Sequence, residues 1–240
     1  MSTGPSTVSS RVGPDLRSSA LILVAMAGLT IFFYWTRADT IGVTGPGRDW
    51  VAMTRRPLTM FQHGMAGLLL LGLAPLAAAR FLCGRSPSSL GLGRGNFRRG
   101  MVWLGIGIPV AVLAGYLSTG QPETRSVYPL DPNLAVSAGG FVRHAGCQLL
   151  YYIGWEVLFR GVLLFGLRDR LGFGTANIIQ TALSVIVHFG RPFTETVAAI
   201  PAGLAFGGVV RQTGTVWYVI IIHWAAGVAQ DWFIVSGGPY

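Results

Sequence analysis

Apolar residues in this chain run in long blocks, and the short segments between them hold most of the charge. The blocks fall at about 18–36, 58–80, 100–119, 141–168, 173–189, 195–211 and 214–235. A helix of about 20 apolar residues rises the ~30 Å needed to cross hydrocarbon. Strands of a membrane barrel would instead alternate apolar and polar residues over about ten positions, and no such alternation occurs. The pattern predicts an all-α fold, a polytopic bundle of transmembrane helices. It has seven spans, or eight if the 141–168 block hides a short interfacial segment. Residues 1–17, rich in Ser, Gly and Pro, read as a disordered tail. The first block lacks a small-residue cleavage site and is long for a signal peptide, so it reads as a retained anchor.

Composition agrees with the blocks. Charged residues make up 11% of the 240 positions, against roughly 25% in an average soluble domain, and mean hydropathy is +0.54. The net charge of +9 comes entirely from Arg, since the chain has no Lys. Such a balance can mark a nucleic-acid binder. Here the Arg residues sit mostly in loops between apolar blocks, where membrane topology puts them, so the expected partner is the lipid bilayer and not a nucleic acid. Arg80, Arg85, Arg94, Arg98 and Arg99 share one loop with no acidic residue. Placing that loop in the cytoplasm puts the N-terminus, with Arg11 and Arg17, there as well. Loop 120–140, with Glu123, Arg125 and Asp131, then faces outward, and Arg168, Arg170 and Arg211 return inside. Loop 38–57 carries Arg48, Arg55 and Arg56 yet must face out, against the rule. The expected location is the cell (inner) membrane, multi-pass. Cys83 and Cys147 lie far apart without CxxC spacing, which signals neither a disulfide nor a zinc site.

Ionisable groups inside apolar spans are expensive and mark function by default. The first three spans offer only His63, near a helix start, where packing or an interface explains it. The C-terminal half carries Glu156 and Arg160 in one span, His188 in the next, Glu195 just after it, and His223 with Asp231 in the last. Counted from the expected cytoplasmic helix ends, Glu156, His188 and His223 lie roughly 14–22 Å deep, near the middle of the hydrocarbon. Three helices thus bring an acid and two imidazoles to one level. Singly, each has a plainer account: Glu156 and Arg160 are i,i+4 partners, and either histidine could bond a backbone carbonyl. Glu195 and Arg191 are expected near the outer interface. Gly203, Gly207 and Gly208 read as close helix packing.

The stretch WEVLFRG, Trp155–Gly161, resembles the first motif, EExxxR, of the CAAX-protease and bacteriocin-processing (CPBP, or Abi) family of intramembrane proteases. SVIVHFG, with His188, is similar to the family's FxxxH motif, with Ser184 where Phe is usual. RQTGTVWYVIIIHWAAG resembles its last region, HxxxN, with His223 as the histidine. Order and spacing match over about 145–235. The resemblance implies a catalytic helical core over 141–240 behind anchoring helices and loops over 18–140. It implies hydrolysis of a peptide bond in a membrane-embedded or membrane-anchored protein or peptide. Water would be activated by Glu156 with His188, His223 would stabilise the oxyanion, and Arg160 would support Glu156. Two positions depart from the pattern. Trp155 stands where the first glutamate is usual, which leaves Glu156 or Glu195 to supply the carboxylate. Gly227 stands where Asn is usual, and Gln230 or Asp231, a turn further on, could supply a donor. The pattern WExxxRG with HxG[K/R]PxxE points to a divergent subgroup.

No cofactor is expected. Glu156, His188 and His223 could ligate zinc as a minority alternative, but there is no HExxH helix. Two other functions stay open: a catalytically inactive scaffold or regulator of the same fold, which Trp155 and Gly227 favour, and a small proton-coupled transporter using the buried acid and histidines.

Overall fold

The computed structural model of the protein describes residues 14–36, 59–135 and 137–237. Loop 38–57, with its three arginines, lies outside the described residues, as does the expected tail up to residue 13. Residues 14–17 form the first turn of helix α1, Pro14–Thr36. Eight more helices follow: α2 (Met60–Cys83), α3 (Phe97–Ser118), α4 (Pro122–Val127), α5 (Pro132–Ala135), α6 (Ala138–Leu171), α7 (Phe173–Ile186), α8 (Phe193–Thr213) and α9 (Trp217–Val235). A short 3₁₀ turn, Ser88–Leu90, lies between α2 and α3. No strand occurs among the described residues.

Every predicted apolar block is a helix, and six helices are long and apolar enough to cross a membrane. The protein is a polytopic helical bundle. Block 141–168 holds no separate interfacial segment, because α6 runs unbroken for 34 residues. Helix α7 is the exception in length. Its 14 residues rise only about 21 Å, less than the ~30 Å core, and turn 187–192 carries the chain on to α8.

The helix ends follow local chemistry. Thr59 caps α2 in a capping box with Gln62, Asn96 caps α3, and Ser137 caps α6. Helix α2 stops at Gly84 (φ 67°) and α8 at Gly214 (φ 73°), where the left-handed conformation suits glycine.

Helix α6 is the centre of the bundle. Of its most apolar window 67% is buried, against 17–33% for the other five candidate spans. Helices α2, α7 and α9 pack around it, α1 closes on α2, α3 on α9, and α8 on α7. The α2–α6 contact is backbone on backbone: a Cβ at Gly154 would collide with the Gly67 carbonyl, and one at Gly72 would lie 3.1 Å from Gly154 Cα. Without side chains at these positions the two helices approach closely. The outer faces carry exposed Leu23, Phe81, Val102, Val142 and Ile178, as expected of a lipid-facing surface.

Contacts sort the loops into two ends. Cys83 Sγ donates to Arg17 O at 3.6 Å, Arg85 pairs with Asp169 at 2.7 Å, and Asn96 N donates to Thr213 O at 2.6 Å. The Arg-rich loop, the start of α1 and the ends of α6 and α8 therefore share one end. Segment 119–135 and turn 187–192 occupy the other, where Phe193 N donates to Glu123 Oε2 at 3.4 Å.

Candidate active site

Glu156 is the last residue of the α-helical part of α6, directly before a π-helical stretch over Val157–Phe165. Wider π turns recur at functional sites because they re-aim side chains within a helix. The Glu156 carboxylate is fully buried. Its Oε1 accepts from His223 Nδ1 at 2.6 Å and from Arg160 NH1 at 3.0 Å, while Oε2 has no partner. The Arg160 guanidinium is held between rings, 5.2 Å from Phe206 and 6.0 Å from Phe159. The expected i,i+4 pair therefore exists, and a third helix joins it through His223.

His188 sits on the turn that ends α7. Its Nδ1 lies 2.6 Å from the Ser184 carbonyl. A carbonyl only accepts, so Nδ1 carries the proton, and in the neutral ring Nε2 keeps its lone pair. That Nε2 lies 3.8 Å from Glu195 Oε1. Glu195 is in the first turn of α8, where the helix dipole favours a carboxylate. Its Oε2 accepts from the Tyr128 hydroxyl at 2.8 Å. Burial pushes that hydroxyl well above its ordinary value, so Tyr128 stays protonated and donates. Arg191 lies 5.5 Å from the Tyr128 ring centre.

His188, His223, Glu195, Tyr128, Tyr152 and Gln148 all line one cavity of about 60 Å³. It runs from the middle of α6 to the end of the bundle where Met60 and Leu130 line it. That volume holds water but falls far short of the ~300 Å³ or more of a pocket that encloses a ligand. Glu156 does not line the cavity; His223 stands between them. Glu195, expected near the outer interface and as an alternative source of the carboxylate, does line it. His63 also faces the cavity, and packs its ring against Phe32 and Tyr151.

Both departures from the motif have a structural counterpart. The Trp155 ring meets His188 edge-on at 5.4 Å. At Gly227 an added Cβ would collide with the Tyr152 hydroxyl, so Tyr152 fills the space a side chain there would take. The Tyr152 ring also packs on His223, with centroids 4.5 Å apart. Gln230 and Asp231 point elsewhere. Gln230 Oε1 accepts from Ser118 at 2.9 Å. Asp231 Oδ2 lies 2.7 Å from His144 Nε2 and accepts from Gln148 Nε2 at 2.5 Å, in a fully buried cluster joining α6 to α9.

Sequence reasoning missed Tyr128, His144, Gln148 and Tyr152. A signal existed for two of them: Tyr152 stands one turn before Glu156 on the same helix face, and His144 is an ionisable residue within a span. Tyr128 sits in a loop, and nothing local marks it. Among the described residues no three His, Cys, Asp or Glu side chains converge as metal ligands.

Residues 145–229 match the family model described as type II CAAX prenyl endopeptidase Rce1-like. The match spans Glu156, His188, Glu195 and His223. Comparison with curated proteins and with solved structures gave no match.

Proposed function

From the Rce1-like character of residues 145–229, a segment of the CPBP protease type, we propose that this protein is an intramembrane endopeptidase. It cleaves a peptide bond in a membrane-embedded or membrane-anchored protein or peptide. One observation carries the reading: two histidines from different helices face a single water-sized cavity, each with a carboxylate beside it, Glu156 for His223 and Glu195 for His188.

The motif alone assigns water activation to Glu156 with His188. The burial of Glu156 behind His223 supports a different division of labour. His188 Nε2, its lone pair directed away from Ser184, takes a proton from water. Glu156 holds His223 by Nδ1 and stabilises its imidazolium, so that Nε2 can donate to the oxyanion. Arg160 holds Glu156 in place and balances its charge. The reaction needs no metal. With the Arg80–Arg99 loop in the cytoplasm of a cell membrane, the cavity opens toward the outer face.

The test is cleavage by purified protein in phosphatidylethanolamine–phosphatidylglycerol vesicles. The substrates are quenched peptides anchored by a C-terminal prenyl group or by a transmembrane segment. Wild type is expected to cleave with a chelator present, and His188→Ala to lose about 10²–10⁴-fold in kcat. No cleavage of either substrate class refutes the endopeptidase and favours a silent scaffold, the reading that Trp155 packed on His188 supports.

A further inference from the structure

We infer that Glu195 is the catalytic carboxylate of this protein: with His188 it binds and activates the attacking water. The inference rests on the endopeptidase reading. A carboxylate that activates water must touch the water. Glu156 is sealed from the cavity, with Oε1 committed to His223 and Arg160, whereas Glu195 lines it. Glu195 Oε1 and His188 Nε2 are 3.8 Å apart, too far for a direct hydrogen bond. Both can accept from a single water whose oxygen lies ~2.8 Å from each. The remaining lone pairs of that oxygen then face the cavity, where a peptide carbonyl would arrive.

Both acceptors are held in place. The bond from His188 Nδ1 to Ser184 selects the tautomer with a basic Nε2, and Tyr128 anchors the other Glu195 oxygen, leaving Oε1 free for water. In the reaction, one water proton passes to His188 Nε2 as the oxygen–carbon bond forms. The Glu195 carboxylate accepts the second water hydrogen in a hydrogen bond and stabilises the imidazolium. The proton on His188 Nε2 then moves to the amide nitrogen as the carbon–nitrogen bond breaks, the second hydrogen staying on the attacking oxygen, which releases a carboxylic acid and an amine.

An independent observation assigns Tyr152 as an oxyanion donor beside His223. Its hydroxyl occupies the space over Gly227, it lines the cavity, and its ring packs on His223. A phenol donates without first gaining a proton, whereas His223 Nε2 donates only as the imidazolium.

The experiment uses the full chain in vesicles with the same anchored peptides. Glu195→Gln is expected to lose about 10²-fold or more in kcat. Glu195→Ala is expected to be equally impaired and to regain at least tenfold activity when millimolar formate is added, because a small carboxylate can occupy the vacated space. Tyr128→Phe separates the roles: a carboxylate that only tethers Tyr128 predicts a loss in kcat equal to that of Glu195→Gln, whereas the assignment predicts a smaller one. Glu195→Gln activity within threefold of wild type overturns the assignment, as does a Glu195→Ala variant that formate leaves inactive. A wild type that cleaves neither substrate class overturns the endopeptidase reading, and this assignment with it. For Tyr152→Phe, kcat is expected to fall tenfold or more with KM within threefold; an unchanged kcat removes Tyr152 from the oxyanion site.

Discussion

Replacing Arg160 by Met tests whether the ion pair at the centre of the bundle acts as a unit. The guanidinium is 2% exposed and bonds Glu156 Oε1 at 3.0 Å. At an effective dielectric near 20 the gross attraction at that distance is about 5 kcal/mol, and desolvation of both ions offsets much of it. Removing the cation leaves a buried carboxylate with His223 as its only partner among the described residues, an arrangement that typically costs about 3–5 kcal/mol. Met keeps most of the contact with Phe159 and Phe206 that the Arg stem provides, so lost packing adds little. Arg160→Met is therefore expected to destabilise by about 3 kcal/mol, and Glu156→Gln by a similar amount because it strands a buried guanidinium. The double variant should recover about 2 kcal/mol of the summed loss, since it strands neither charge and Gln can still accept from His223. Reversible unfolding in mixed micelles gives the four stabilities of the cycle. If the two losses add within about 0.5 kcal/mol, the pair is not coupled and Glu156 has another counter-charge.

Two further predictions follow from the packing and the loop placement. Asp231→Leu leaves the His144 and Gln148 donors buried without an acceptor, so unfolding in micelles should show a loss of about 2–4 kcal/mol; His144→Leu added to it should restore part of that loss, and a neutral Asp231→Leu would show that water already satisfies the cluster. In a Cys83→Ser, Cys147→Ser background, cysteines placed at the exposed Ser88 and Ser126 should react with impermeant maleimide from opposite sides of inside-out vesicles, Ser88 from the cytoplasmic side; labelling from the same side refutes the proposed orientation.

The site was legible only where its chemistry is local. Glu156 and Arg160 are one helical turn apart, and any helix through Trp155–Gly161 brings them together. His188 and His223 stood out because an imidazole inside an apolar block has few inexpensive explanations. Glu195 was visible as a residue, but its place at the cavity depends on the tight turn at 187–192, which sets the first turn of α8 beside His188. The Gly227 vacancy read as a lost donor, since nothing in the spacing of α9 says that Tyr152 of α6 fills it. His144 and Asp231 are 87 positions apart, and no periodicity connects them.

What the sequence by itself determined is the all-α class and the position of the long apolar helices along the chain. A bilayer demands long apolar blocks and internally bonded backbone, and both requirements are met within a segment. What only the tertiary structure decided is which faces meet. Close approach at Gly72 and Gly154, the turn after α7, and the wedge of Tyr152 over Gly227 are relations between segments distant in the chain. Those relations bury Glu156 beside His223 and leave Glu195 lining the cavity.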